Sequence, residues 1–500
     1  MRLVHFFALS ISTASLSLAS CTPVPDLGPK PLPRAPSDVV ANRSLSHVLK
    51  ADWPDEGWWR GYGDEQLDQL IDEGLRNSPD LVVAAARFRR AAAMQQQAGG
   101  ALVPRIDAEA STGLSKQSYN NGPSTVPRGW LGTGRTALTF DLDLDLWGRN
   151  RAALAAATSE AYAAEIDMAQ ARLVLTTGIT EAYADLARLH ANHDIAERSL
   201  ALRTASQSLV ANRQANGLET RGSLRQSDAA VASARVEVTA TEEAIALRRN
   251  QIAALIGAGP DRALTINRPQ PQAWVQPGLP SDVTTDLIGR RPDISAARAR
   301  VEAAASRIKV ARADFLPAIR LSALAGFQSL GYTPAAPGTG ATGSASPFID
   351  TLFKSGSLFG SIGPAISLPI FRGGELQGQY RGARATYDEA VGNYDRTILT
   401  AYREVVDAVT SRDALVRSRV DARGALAASQ DAYDIARKRY EGGLSSYLDV
   451  LTVEDRLLAA QQVAADLDAR GFALDVALIR ALGGSFVAAP APTSKDNDHG

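Results

Sequence analysis

The sequence predicts a mainly α-helical chain with a transmembrane β-barrel part, built from one α/β unit written twice. Three observations carry that reading. An internal repeat holds a fixed register, helix-length spans run without proline, and four short segments of alternating polarity lie between them.

The repeat comes first. Pro79-Asp80-Leu81 opens a helical stretch that closes at Pro104, and Pro292-Asp293-Ile294 opens another that closes at Pro317. The prolines of each pair are 25 residues apart, and the two copies are offset by 213. Leu146-Trp147-Gly148-Arg149 answers Ile370-Phe371-Arg372-Gly373 at an offset of 224. Arg213, Gly217 and Gly257 answer Arg439, Gly443 and Gly483 at 226. The growth in offset assigns about eleven extra residues to one loop of the second copy. Residues 51–270 are therefore expected to form the first repeat and residues 271–484 the second.

Within each repeat the punctuation sets the helices. Proline suits the first helical position, where its missing N–H costs nothing, and no proline occurs from Arg128 to Gly259 or from Ile370 to Ala489. Asn216-Gly217 and Gly442-Gly443 mark helix ends. The first copy reads as a short helix from Pro79, a strand hairpin over about 104–147, a long helix over about 149–213 and a return helix over about 223–256. The second reads as 292–315, 317–371, 372–440 and 444–482. The long helices would measure roughly 95–100 Å and the return helices roughly 50 Å. A long rod beside two stacked shorter rods satisfies those lengths, and a compact globule does not.

The strand segments alternate with period two. In Thr136–Trp147, Leu138, Phe140, Leu142, Leu144 and Leu146 share one face while Thr139, Asp141, Asp143 and Asp145 share the other. Arg105–Lys116 would pair with it; Ile319–Gln328 and Leu358–Ile370 repeat the pattern. Such alternation, with Trp147 and Phe371 as interface aromatics, fits barrel strands, and a soluble sheet with one wet face fits the pattern nearly as well. Four strands cannot close a membrane barrel, and open edges are not tolerated in lipid. If they span, subunits must share a barrel, of eight strands in a dimer or twelve in a trimer.

The N-terminus decides between those readings. Met1-Arg2 precedes an apolar run of signal-peptide length that ends in Leu18-Ala19-Ser20-Cys21. The small residues before the cysteine resemble the bacterial lipobox, so residues 1–20 are expected to be removed and Cys21 to carry covalent lipid. Cys21 is the single cysteine of the chain, which leaves no disulfide to explain it. Residues 21–50 are proline-rich and read as an extended tether, and residues 485–500 as a disordered tail. A net charge of −1 gives no basic stripe of the kind that nucleic acid requires.

With these residues in view, the chain resembles the TolC-like outer membrane efflux proteins, in the NodT/OprM-type lipoprotein branch. The resemblance rests on Cys21, Trp58-Trp59, Gly63-Asp64-Glu65-Gln66-Leu67 and the paired Pro-Asp openings. It rests also on Asp143 to Arg149, and on Arg439 to Leu444 with Tyr447 to Leu451. It implies a homotrimer with a twelve-stranded barrel in the outer membrane and a long α-helical tunnel in the periplasm. It also implies a periplasmic adaptor protein and an inner-membrane transporter, often of the resistance-nodulation-division class, as partners. Tyr440, Leu448 and Asp449 match residues of the periplasmic aperture. Ser445 and Thr452 stand where relatives often carry charge, so a hydrophobic, tyrosine-lined closure is expected instead. Arg221 is the candidate partner of Asp449.

Other motifs are set aside. Gly338-Thr339-Gly340-Ala341-Thr342-Gly343 matches a dinucleotide pattern but opens no helix. Asp141-x-Asp143-x-Asp145 lacks the glycine of a calcium loop. His190, His193 and Glu197 share a helix face on which nothing else converges. No catalytic set, metal or cofactor beyond the lipid on Cys21 is expected. The alternatives to an efflux channel are an exit duct for a secretion system and a periplasmic coiled-coil lipoprotein scaffold.

Overall fold

The computed structural model describes residues 23–35, 38–39, 43–45, 51–116, 118, 120, 127–270, 279–280, 287, 289–333 and 343–488. Residues 1–20, Cys21, Gly338 to Thr342 of the glycine motif and residues 489–500 lie outside the described residues.

After a 3₁₀ turn at Trp58–Tyr62, the chain runs α1 (Glu65–Asn77), α2 (Pro79–Gly100), β1 (Arg105–Ser115) and β2 (Leu131–Asp143). There follow α3 (Arg149–Ala215), α4 (Arg221–Leu255) and the single turn α5 (Pro260–Ala263). The second copy contributes α6 (Pro292–Ala313), β3 (Ala318–Ser329), the short β4 (Tyr332–Thr333) and β5 (Ser344–Ala345), and α7 (Phe348–Leu352). It ends with β6 (Leu358–Ser367), α8 (Glu375–Glu441) and α9 (Tyr447–Leu482).

The three longer helices of the two copies match in length. α3 and α8 are 67 residues each, about 100 Å at the α-helical rise. α2 and α6 have 22 residues each, and α4 and α9 have 35 and 36. α3 packs along α2 and α4, and α8 along α6 and α9; α6 and α9 also pack on α3. Each long rod thus lies beside two shorter ones. The joint between the short rods is the same twice. A β-carbon on Gly257, just past α4, would overlap the Asn77 carbonyl before α2, and one on Gly483, just past α9, would overlap the Arg290 carbonyl before α6. Both glycines also sit at positive φ, 74° and 90°, so a side chain is excluded by backbone and by space.

The four longer strands form one antiparallel sheet in the order β1-β2-β3-β6. The register puts Ile106, Phe140, Ala323 and Ile362 in one row and Ala108, Leu138, Ala325 and Gly360 in the next, all on one apolar face. The opposite face carries Arg105, Asp107, Glu109, Arg135, Thr139, Asp141, Asp143, Arg320, Ser322 and Gln328. β2 begins five residues before the expected start and ends at Asp143, not Trp147. Beyond it Leu144 N–H still donates to Ile319 O, and the chain then turns at Asp145, whose φ is 44°. The Asp145 carboxylate accepts from the Asn150 and Arg151 amides at 2.8 and 3.0 Å. It caps the start of α3, which is why a strand-like alternation stops there. Among the described residues, no helix is long and apolar enough to cross a membrane.

One core cluster lies around α1, mid-α3 and the ends of α4 and α9, and another between α6, α8 and the end of α9. Leu67, Leu70, Ile71, Ile179, Ile252, Ile256 and Phe472 are buried in the first, and the Tyr62 ring meets Phe472 edge-on at 4.3 Å. The Gly63-to-Leu67 motif locks this core together. Asp64 caps α1 through the Gln66 and Leu67 amides. It also accepts from the Tyr183 hydroxyl at 2.7 Å and the Gln270 amide at 2.8 Å. Gln66 in turn pairs with both backbone groups of Asn267.

Candidate functional site

Two helix turns sit together at the end of the rods far from the sheet, one joining α3 to α4 and one joining α8 to α9. Each closes by the same hydrogen bonds. Gly217 N–H donates to Gln214 O and Leu218 N–H to Arg213 O; Gly443 N–H donates to Tyr440 O and Leu444 N–H to Arg439 O. This is the Schellman arrangement, which requires a left-handed residue at the turn, and Gly217 and Gly443 have φ of 71° and 73°.

Tyr440 joins the two turns. It is 3% exposed, and its hydroxyl donates to Glu219 Oε2 at 3.1 Å. The Arg213 guanidinium lies 4.9 Å from its ring centroid and donates to its carbonyl at 3.2 Å. Burial, then the bond to Glu219, pushes the Tyr440 phenol up to about 12. Burial pushes the Glu219 carboxyl up. Hydrogen bonds from the Thr220 amide, Ser223 and Tyr440, with Arg213 nearby, outweigh it and hold the group below its ordinary value.

The other aperture candidates are placed differently. Leu448 is exposed on the first turn of α9. Asp449 accepts from the Ser446 amide at 3.0 Å and the Ser446 hydroxyl at 2.9 Å, completing a capping box. These bonds hold its carboxyl below the usual range. Arg221 is exposed at the start of α4. Within one chain the expected Arg221–Asp449 pair is therefore replaced by a local cap, since a first-turn aspartate meets its own helix amides more readily than a cation on another helix.

A second connection lies deeper along the rods. Arg203 on α3 reaches Glu454 at 3.0 Å and Asp455 at 2.6 Å on α9. Glu454 is fully buried, and burial raises its carboxyl despite Arg203. Glu454 Oε2 and the hydroxyls of Tyr433 and Tyr447 are buried without a hydrogen-bond partner among the described residues. Sequence reasoning missed Glu219, Arg203 and Glu454. Their partners lie 221 to 252 residues away, and only the close matching of the two repeat tips could have signalled them.

At the other end of the rods, Trp147 is half exposed with its Nε1–H donating to Pro317 O at 2.7 Å, and Phe371 is exposed. Both follow directly on the sheet. The segment 23–35 runs extended along α8 near its sheet-proximal start. Arg384 donates to the Gly28 and Pro29 carbonyls, the Tyr387 hydroxyl to Pro31 O, and the Arg34 amide to Asp395. His193, set aside above, bonds Thr241 at 2.9 Å and neighbours Glu197.

Residues 70–258 and 283–484 match the sequence profile of the outer membrane efflux proteins. The chain is 34% identical to the fusaric acid resistance protein FusA of Burkholderia cepacia, over 76% of this chain and 69% of that one. It is 30% identical to the pyoverdine export outer membrane protein OpmQ of Pseudomonas aeruginosa, over 96% of this chain and 97% of that one. The crystal structure of the outer membrane protein VceC from Vibrio cholerae superposes with a TM-score of 0.79 at 43% identity, covering 87% of this chain and all of that one. A duplicated set of rods about 100 Å long, a four-stranded sheet with one apolar and one polar face, and matches over nearly the whole length agree on one assignment: the chain belongs to the outer membrane efflux protein family and is an outer-membrane channel subunit of TolC-like fold.

Proposed function

We propose that three copies of the chain close a twelve-stranded barrel through the free edges of β1 and β6, and that their rods form a periplasmic duct. Passage through it is passive: the solute arrives from an inner-membrane transporter by way of a periplasmic adaptor. The observation that carries this reading is the sheet itself. It has one apolar face, one charged face and, among the described residues, β2 and β3 as its doubly paired strands. In lipid such a sheet must be completed by sister copies. The strap at 23–35 lies on α8 close to the sheet, so a lipid on Cys21 has a short path to the same membrane surface.

The closed duct is held at its tip by Tyr440, Glu219 and Arg213, and more deeply by Arg203, Glu454 and Asp455. The exposed Leu218, Leu444 and Leu448 are the apolar points that an adaptor would grip. Adaptor binding opens the tip only in so far as it prefers the open arrangement. Single-channel recording in planar bilayers tests the reading. The unmodified protein should insert and conduct weakly, and Glu219→Gln should conduct several-fold more. A protein that never forms trimers or conducts at all would refute the channel; equal conductance in both forms would refute only the latch.

A further inference from the structure

The loop between β3 and β6 holds the extra residues of the second copy, and its described part, residues 343–357, folds back on the sheet at the end far from the rods. Its short helix α7 is apolar on two sides. Phe348 and Leu352, at i and i+4, face the sheet. Leu352 is 4% exposed, and the Phe348 ring occupies the space that a β-carbon on Gly134 would take and lies at contact distance from Gly132. Ile349 faces away and is 59% exposed, and Phe353, just past the helix, stays 64% exposed although one edge of its ring meets the sheet. The helix is pinned rather than loose. The Ser329 and Thr351 hydroxyls are hydrogen-bonded at 2.5 Å, the Ser357 hydroxyl donates to Thr351 O at 2.6 Å, and the Phe353 ring packs edge-on against Phe327 at 5.7 Å.

The register fixes which side of the sheet this is. Gly134 shares a face with Leu138 and Phe140, and Phe327 with Ala323 and Ala325. α7 therefore lies against the apolar face and not the charged one. It contacts β2 and β3, the two central strands, away from the edges through which sister copies join. Among the described residues, these two large apolar side chains are left mostly uncovered.

We propose that α7 is seated in the outer leaflet of the membrane, with Ile349 and Phe353 among lipid acyl chains and the exposed Lys354 reaching the headgroups. The inference rests on the reading above that the apolar sheet face meets lipid. It adds a second, helical element to that contact, continuous with the strands, which sets the depth of the barrel. The long lysine stem suits the boundary between acyl chains and headgroups.

Nitroxide labels at single introduced cysteines test it, on the full-length trimer in liposomes of phosphatidylethanolamine and phosphatidylglycerol, with the unmutated chain as background. Ile349→Cys and Phe353→Cys are the reporters, Ile362→Cys marks the strand's apolar face, and Thr139→Cys marks the polar face. Collision with oxygen relative to a water-soluble nickel chelate should be several-fold higher at 349, 353 and 362 than at 139. Chelate access at 349 and 353 with 362 still lipid-like overturns the inference and leaves the barrel standing. Chelate access at 362 as well overturns both. Spin–spin broadening at 349 that grows with protein density would assign the face to a neighbouring copy, and so also overturns it. Gly134→Val, whose side chain takes the place of Phe348, should shift 349 toward water and leave 362 unchanged; no shift would refute the pinned seat.

Discussion

Asp475 on α9 shows how one buried carboxyl can set the pH response of the rods. It is 5% exposed, and burial raises its pKa to about 7 against the partial opposition of Arg412 and Arg419. A carboxyl raised on folding favours the folded state at low pH. That contribution is complete below the ordinary carboxylate range and is lost as pH rises through about 7. The melting temperature should therefore fall from about pH 4 to about pH 7 and level off above, and Asp475→Asn should flatten that slope; an unchanged slope in the variant would place the titration elsewhere. Asp64 carries a different kind of load. Asp64→Ala removes an N-cap, worth about 0.5–2 kcal/mol, and takes the acceptor from the buried Tyr183 O–H, which keeps its bond from Gln66 Nε2, at about 1–3 kcal/mol. Chemical denaturation should register a loss of about 1.5–5 kcal/mol on that basis. Conservative Asp64→Asn, which keeps the cap, should recover part of it. The motif around Asp64 was legible in the sequence. Its partners were not, since Tyr183 and Gln270 lie 119 and 206 residues away and no local pattern points to them.

At the scale of helices, the tip is two turns held against each other by two separate connections, and they should respond differently. The Tyr440–Glu219 bond is half exposed on its acid side. Because Glu219 has a depressed pKa in the folded state, its contribution is present above the ordinary glutamate range and is lost as pH falls through the depressed value. Conductance of the isolated channel should rise on strong acidification and show no such rise in Glu219→Gln. In the deeper connection Arg203 and Glu454 have little contact with solvent, while Asp455 is exposed. Arg203→Met would leave Glu454 buried without its cation, a cost of about 3–5 kcal/mol, seen as loss of heat resistance even where conductance changes little. Paired Arg203→Met and Glu454→Met should recover much of that loss, because apolar replacement of a buried pair is often neutral. What the sequence revealed here was the place. Asn216-Gly217 and Gly442-Gly443 mark turns at matching positions of the two copies. The actors were hidden, because Asp449 looked free for Arg221 until its own helix amides claimed it.

For the whole molecule, the duplicated plan was legible because each joint demands the same residue twice: glycine at 217 and 443, at 257 and 483, proline at 79 and 292. The loop between β3 and β6 was legible only as added length, since α7 depends on a notch at Gly132 and Gly134 that lies in the other copy. The sheet carries the molecule's electrical character. On its polar face each chain presents Arg105, Arg135 and Arg320 against Asp107, Glu109, Asp141 and Asp143. Three arginines against four carboxylates leave each chain one negative charge in excess, and a trimer multiplies it around one pore. The barrel should therefore favour cations, measured as a reversal potential under a salt gradient. The double variant Asp141→Asn and Asp143→Asn, which inverts the sign, should move that potential toward anions without unfolding the sheet, because both side chains face water. Ile362→Arg adds one positive charge on the apolar face, half the change of the double variant, and there an arginine near mid-membrane costs about 2–4 kcal/mol per chain. It should reduce insertion and leave selectivity alone. If instead the lumen pair disrupts insertion and Ile362→Arg is tolerated, the two faces of the sheet have been assigned the wrong way round, and the barrel would have to turn inside out to keep its register.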